Sequence, residues 1–359
     1  MEGKSSARGI TTATQWNELT NDGKIAVPYS LHVEINEFYY EAKIDAAMAR
    51  LSHDIGCVEM VKVPHDELLT TSYRNGLMFT WSSTTGGGCW SALGLAPGFT
   101  GGNGDIEDLG AKPEWQIISL DGAGCSGTSE ATLQHEVMHA LGFYHEHQRP
   151  DRDDHIMIHE DNIYFGWMSQ FTKLTPSSWV DSGHPFELGS VMTYCSNCAG
   201  DPAMTLLDGI STWGNFETGR ALTTTDALQV QWHYCRDRPG YPYKNTMRCT
   251  GADPTGQMLE VFTDRLCDNV KDCFGGEDEG MGNGHGEPLA HCKLAAGRTI
   301  NGCCSWIIMN GEECIWSTYY SSFTEGKDAY RQSCKIAYPS VSRKNQKIRK
   351  MEISCKSQN

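Results

Sequence analysis

The sequence predicts an α+β fold, a twisted mixed sheet carrying helices and followed by a small disulfide-rich region. Three observations predict it. Short runs of β-branched and apolar residues alternate with helical periodicity between Ile25 and Ala140. Leu133, Val137 and Leu141 recur every four residues and mark a core-facing helix. Nine of the 15 cysteines lie beyond Pro239, where apolar runs are too few to build a large core.

Ile25-Ala26-Val27-Pro28-Tyr29 reads as the opening strand. From Glu37 to Leu51, Ile44, Ala47, Met48 and Leu51 fall at helical spacing, and Gly56 closes that helix. Cys57 to Val63 is rich in β-branched residues and reads as a second strand, Leu77 to Trp81 as a third. Gly86-Gly87-Gly88 turns into a short strand at Cys89-Trp90-Ser91, and Trp115 to Leu120 completes the set. The glycine run lacks both the Lys-Ser/Thr ending and the G-x-G-x-x-G helix start of a phosphate-binding loop, which excludes that role. Two helices are expected on the sheet, the second running through His135 and His139. After His145 the chain turns irregular and polar, apart from Asn162 to Phe171.

The 359 residues suffice for one large domain and a smaller one. A balance of 29 basic against 45 acidic side chains argues against nucleic acid as a partner. No apolar run approaches the roughly 20 residues that span a bilayer, so no transmembrane segment is expected. So many cysteines read as the disulfide framework of a secreted, extracellular protein. The first residues, Met1 to Arg8, have no apolar stretch and are not a signal peptide. The chain is therefore expected to be incomplete or trimmed, with Arg8 as a processing point before Gly9-Ile10. Residues 1–14 are read as an N-terminal remnant, 15–238 as the main domain, 239–246 as a linker and 247–359 as a cysteine-rich region.

The chemistry concentrates in His135-Glu136-Val137-Met138-His139-Ala140-Leu141-Gly142-Phe143-Tyr144-His145. On a helix, His135 and His139 project from one side, about 200° round from the apolar stripe. Two neutral imidazoles one turn apart suit a zinc ion. Gly142 stands where a helix needs a left-handed residue to stop, letting the chain swing His145 in as a third ligand. Glu136 is placed to take a proton from a metal-bound water. An amphipathic core helix with incidental histidines would need three ligands, the base and the glycine to coincide.

The extended H-E-x-x-H-x-x-G-x-x-H pattern resembles that of the metzincin zinc peptidases. Its continuation, Glu146-His147 and then Arg149, Asp151, Arg152 and Asp153, resembles the astacin family of metallopeptidases. The resemblance implies a zinc endopeptidase with one Zn(2+) held by His135, His139 and His145, and a protein or peptide substrate. Ser190-Val191-Met192-Thr193-Tyr194 resembles the family's Met-turn, with Thr193 where a histidine is usual. By that match Met192 forms an apolar floor under the metal. Tyr194 is a further ligand that swings away to donate a hydrogen bond to the tetrahedral intermediate. Glu146 matches a residue that pairs with the processed N-terminus. The resemblance also implies bridges Cys57–Cys235 and Cys89–Cys125, and places Cys89 to Ala92 at the edge of the substrate cleft. Cys195-Ser196-Asn197-Cys198 is additional. A CxxC pair can be a redox couple or half a zinc site, but a local bridge shaping the primed-side wall is the favoured reading.

In the C-terminal region, Cys267 to Glu279 resembles the calcium-binding end of a low-density-lipoprotein-receptor class A module. The match would make Asp268, Asp272, Asp278 and Glu279 carboxylate ligands of Ca(2+). Adjacent Cys303 and Cys304 must go to different partners, and the odd total leaves one cysteine without an internal mate. Arg343, Lys344, Lys347, Arg349 and Lys350 make a basic tail that is either a solvated face or a contact for matrix glycosaminoglycan or a cell surface. The alternative from another class is a non-catalytic extracellular binding or adhesion protein with a residual protease site. A decayed site would be expected to lose Glu136 or a ligand first, and none is lost.

Overall fold

The computed structural model describes residues 15–32, 38–80, 88–100, 106, 110–121, 129–175, 178–214, 222–266 and 270–279, and the backbone of two strands at 306–310 and 313–317. The opening strand β1 (Ile25–Leu31) is buried along its whole length. It lies between β2 (Val58–Lys62) and β3 (Leu77–Thr80), parallel to both, with Ile25 opposite Val58 and Tyr29 opposite Leu77. Next to β3 runs β5 (Gln116–Asp121), also parallel, and β4 (Gly88–Ser91) closes the order β2-β1-β3-β5-β4 as an antiparallel edge. Continuous apolar runs are what a sheet covered on both faces requires.

The first helix, α1 (Phe38–Ile55), presents Ile44, Ala47, Met48, Leu51 and Ile55 to the sheet, all fully buried. The helix ends at Gly56, whose φ of +78° only glycine adopts without strain. On the same core sits α2 (Glu130–Ala140), started by Ser129, whose side chain accepts the Thr132 N–H. Its Leu133, Val137 and Leu141 are buried at 0% exposure.

The lower half departs from expectation. The stretch beyond His145 contains an antiparallel strand pair distant in sequence, β6 (Ile156–Ile158) with β7 (Met204–Leu206), over a second core of Phe171, Phe186, Leu188 and Trp213. A third helix, α3 (Thr224–Cys235), corrects the expectation of two. It opens on a capping box between Thr223 and Asp226 and buries Ala227, Val230, Gln231 and Tyr234. A disulfide from its last residue, Cys235, to Cys57 ties α3 to the start of β2.

The expected linker packs down as well. Tyr243 lies against Gly56 and the main core, and its hydroxyl donates to the Pro239 carbonyl at 3.0 Å. A hairpin of β8 (Thr246–Arg248) and β9 (Glu260–Phe262) follows, held by Cys249–Cys273. Phe262 is fully buried in the main core, and Arg265 meets Asp54 of α1 at 2.7 Å, both side chains buried. The last described strands, β10 (Trp306–Asn310) and β11 (Glu313–Ser317), form an antiparallel pair. Among the described residues, no helix is long and apolar enough to cross a membrane.

Candidate active site

The end of α2 sets the geometry. Gly142, at φ +98°, stops the helix, and the Phe143 N–H reaches back to the Met138 carbonyl at 3.0 Å. The last helical carbonyls find partners elsewhere: that of His139 accepts from the Gly94 N–H just beyond β4, that of Ala140 from the Trp16 indole, that of Leu141 from the Tyr234 hydroxyl. These bonds fix the turn that carries the chain back to His145. The ligand nitrogens of His135, His139 and His145 all lie within 4.8 Å of one another.

The tautomers follow from the neighbours. His135 Nδ1–H donates to the Val191 carbonyl and His139 Nδ1–H to that of Phe143, each at 2.8 Å. Each ring therefore turns a bare Nε2 inward, the form in which imidazole binds a metal. His139 Nε2 and His145 Nε2 face each other at 3.1 Å. Desolvation holds all three imidazoles below their ordinary pKa, His139 down to about 3 with the His135 charge adding to the effect. Neutral rings, converging lone pairs and two carbonyl-anchored Nδ1 atoms fit a zinc ion.

Glu136 is 4% exposed, and its Oε2 is buried without a hydrogen-bond partner. Burial raises its carboxyl to about 8. Tyr194 extends its ring over His145 and His147, with centroids 4.5 and 4.6 Å away. Burial, then the Glu136 charge, pushes its phenol well above the ordinary range.

Met192 is buried and belongs to the core beneath α2. Its turn is held by a residue that sequence reasoning missed. Asp226 accepts the Ser190 hydroxyl at 2.6 Å and the Val191 N–H at 2.9 Å, so the first turn of α3 clamps the Met-turn. The Met192 carbonyl in turn accepts the Glu146 N–H at 3.0 Å, locking the third histidine's segment to the same turn. Two further residues were missed. Fully buried His147 donates from Nε2 to the Gln170 carbonyl and accepts the Tyr194 N–H on Nδ1. The Trp213 indole donates to the Tyr194 carbonyl at 2.9 Å. Tyr194 is thus held at both ends of its backbone. The spacing of Ala227, Val230, Gln231 and Tyr234 after Thr223 was the available signal for α3 and Asp226; His147 was marked only by its place in the signature after His145, and Trp213 by nothing beyond residue type.

A profile of the Astacin peptidase family matches residues 12–235. This chain belongs to the astacin family. Among curated relatives, zinc metalloproteinase nas-34 of Caenorhabditis elegans is 47% identical over 97 residues, 27% of this chain and 16% of its own length. Protein SpAN of Strongylocentrotus purpuratus is 35% identical over 147 residues, 40% of this chain and 21% of its own. Low choriolytic enzyme of Oryzias latipes is 40% identical over 86 residues, 24% of this chain and 30% of its own. The chain thus matches less than a third of the length of each. Among solved structures, high choriolytic enzyme 1, a hatching-enzyme zinc-protease of the same fish, aligns with a TM-score of 0.48 and 21% identity over 62% of this chain and 96% of that one.

The astacin-like chain forms Cys57–Cys235 and Cys195–Cys198. Cys89, on β4, is disulfide-bonded, whereas Cys125 lies outside the described residues. Glu146 is buried and accepts Arg149 Nη1 at 2.9 Å and the Glu187 N–H at 3.1 Å. Burial raises its carboxyl to about 6 against the lowering effect of Arg149. With Met192, Asp226 and Gln229 it lines a small cavity of about 30 Å³ behind the Met-turn.

Two of the carboxylates matched to calcium have partners within the protein. Asp278 accepts the backbone N–H groups of Asp272 and Cys273, and Asp272 faces Arg265 at 3.5 Å. Glu279 ends a single 3-10 turn, and Asp268 lies outside the described residues, as does the basic tail.

Proposed function

We propose that this chain is a secreted zinc-dependent endopeptidase acting on protein or peptide substrates. The observation that carries the reading is the convergence of three neutral imidazoles beside a buried carboxylate oxygen that has no other partner. His135, His139 and His145 would hold the zinc, with Tyr194 as a further ligand at rest. Bound there, zinc supplies the Lewis acidity that makes water a nucleophile near neutral pH and polarises a peptide carbonyl.

The remaining steps belong to the chain. Glu136 Oε2 accepts the proton of the attacking water and returns it to the leaving amine. Its desolvated pocket, which raises its pKa to about 8, strengthens it as a base. Tyr194 keeps its proton and donates from the phenol to the oxygen that gains charge as the carbonyl becomes tetrahedral. An extended substrate would add along the outer edge of β4, the terminal strand of the sheet. The Cys195–Cys198 turn would shape the wall beyond Tyr194, and a processed N-terminus would reach Glu146 through the cavity it lines.

Metal removal tests the reading. Dialysis against a chelator should abolish casein cleavage, and one equivalent of zinc per chain should restore it. Cleavage that survives complete loss of zinc would refute the assignment.

A further inference from the structure

Three bridges have both cysteines among the described residues, and they differ in reach. Cys57–Cys235 and Cys249–Cys273 lie in the interior, each residue at 2% exposure or less. In Cys195–Cys198, Cys198 is exposed and Cys195 half-buried. Thiol–disulfide exchange requires a thiolate to reach a sulfur in line with the bond it breaks, so access separates this bridge from the other two. Its loop is also the shortest, a separation of 3 residues against 178 and 24. Closing so short a loop removes little entropy from the unfolded chain, which makes stability a poor account of it.

Its position offers a better one. Cys195 is bonded through the peptide link to Tyr194, and the Cys198 N–H donates to the Cys195 carbonyl to close the turn. Between the two cysteines, buried Ser196 is paired with Trp213 in both directions. Its N–H donates to the Trp213 carbonyl at 3.1 Å, and its hydroxyl accepts the Trp213 N–H at 2.9 Å. Trp213 then donates its indole N–H to the Tyr194 carbonyl. The bridged turn, Trp213 and Tyr194 form one closed circuit of bonds.

We propose that Cys195–Cys198 is a thiol–disulfide exchange site, and that its reduction by an external dithiol loosens Tyr194 and slows turnover. A thiolate of the dithiol attacks the Cys198 sulfur, and the Cys195 sulfur leaves as a thiolate. The second thiol of the reductant then attacks the mixed disulfide and releases Cys198. Two electrons and two protons pass to the cysteine pair, and the reductant ends as its own disulfide. With the turn open, Ser196 loses the constraint that holds it against Trp213, and Tyr194 loses the rigidity of its carbonyl partner. The effect on turnover rests on the role assigned to Tyr194 above; the exchange chemistry does not.

The test treats the zinc-loaded full chain with reduced thioredoxin as the probe dithiol, then alkylates the free thiols and maps them by mass spectrometry. Cys195 and Cys198 should be labelled as a pair while Cys57–Cys235 and Cys249–Cys273 stay closed, with zinc content unchanged. Amide exchange at Tyr194 and Ser196 should quicken by about tenfold. The rate constant kcat on a peptide substrate should fall by about tenfold with KM nearly constant, because a displaced donor costs the transition state rather than binding. The double variant Cys195→Ser/Cys198→Ser should show the reduced-state rate and no response to thioredoxin. The proposal is overturned if Cys195 and Cys198 stay bonded while a buried bridge opens. It is equally overturned if they open and neither amide exchange nor kcat changes. If the untreated protein cleaves nothing, the peptidase reading fails, while alkylation and amide exchange still decide the exchange site.

Discussion

At the level of single residues, the site is a set of polar groups each held in one protonation state by its neighbours. His135 and His139 were legible as a pair because four-residue spacing on a helix admits one geometry. The partners of their Nδ1 atoms, the carbonyls of Val191 and Phe143, were not, since a backbone acceptor has no residue type to read. Tyr194 illustrates what a side chain contributes beyond its identity. Tyr194→Phe should leave zinc content and KM nearly unchanged while lowering kcat by roughly 10²–10³-fold, the usual loss of one oxyanion donor. Steady-state kinetics on a peptide substrate checks this, and an unchanged kcat would remove Tyr194 from the mechanism. Glu136 makes a second prediction, about pH. Its folded pKa of about 8 exceeds the ordinary 4.5, so with zinc removed the folded state holds a proton that the unfolded chain has released between those values. The contribution of Glu136 to the stability of the metal-free protein should therefore fall as pH rises across that window, by up to about 1.4 kcal/mol per pH unit. The imidazoles held below 6.5 contribute with the opposite sign up to that pH. Urea unfolding at pH 5, 6.5 and 8 should show the wild type losing stability relative to Glu136→Gln as pH rises; a difference that stays constant with pH would contradict the burial argument.

At the level of elements, strands β1 to β5 and helices α1 and α2 were legible because their apolar periodicity is uninterrupted and their ends carry glycine or a capping serine. The lower half was not, because its order comes from short 3-10 turns, a pair of three-residue strands distant in sequence and side-chain bonds. Only α3 had a readable pattern, Thr223 and Asp226 ahead of Ala227, Val230, Gln231 and Tyr234. That helix matters to the site through one carboxylate. Asp226 accepts the Thr223 N–H in the capping box of its own helix and also holds Ser190 and Val191, so replacing it leaves two buried N–H groups and a hydroxyl without acceptors. Asp226→Ala should cost about 2–4 kcal/mol in urea unfolding, the sum of a lost cap and an unsatisfied buried donor. It should also weaken zinc binding, because His135 is anchored to the Val191 carbonyl. A variant of native stability and zinc affinity would show that the Met-turn needs no clamp.

At the level of the whole molecule, the astacin-like domain does not end where its family resemblance does. Composition suggested a linker at 239–246 and a separate stapled region, since cysteine density rises there. Burial reveals that Phe262 completes the main core and that Arg265 pairs with Asp54, facts that depend on long-range contacts no local pattern encodes. Residues 246–266 should accordingly unfold together with the zinc-site region in one transition. Arg265→Ala takes the closest cation from the buried Asp54, leaving it His53 and Lys244, and should cost about 1–3 kcal/mol by urea denaturation. Two separate transitions in the wild type, or a loss below about 1 kcal/mol, would mean that the region is merely tethered.

The central claim is that Glu136 and the three histidines perform zinc-dependent peptide hydrolysis. The most direct test is casein cleavage by the wild type and by Glu136→Gln, with zinc measured on both. One zinc per chain in each, with cleavage by the wild type and a loss of about 10²–10⁴-fold in the variant, is the predicted result. Equal cleavage by the two proteins, or no cleavage by a fully zinc-loaded wild type, would contradict it.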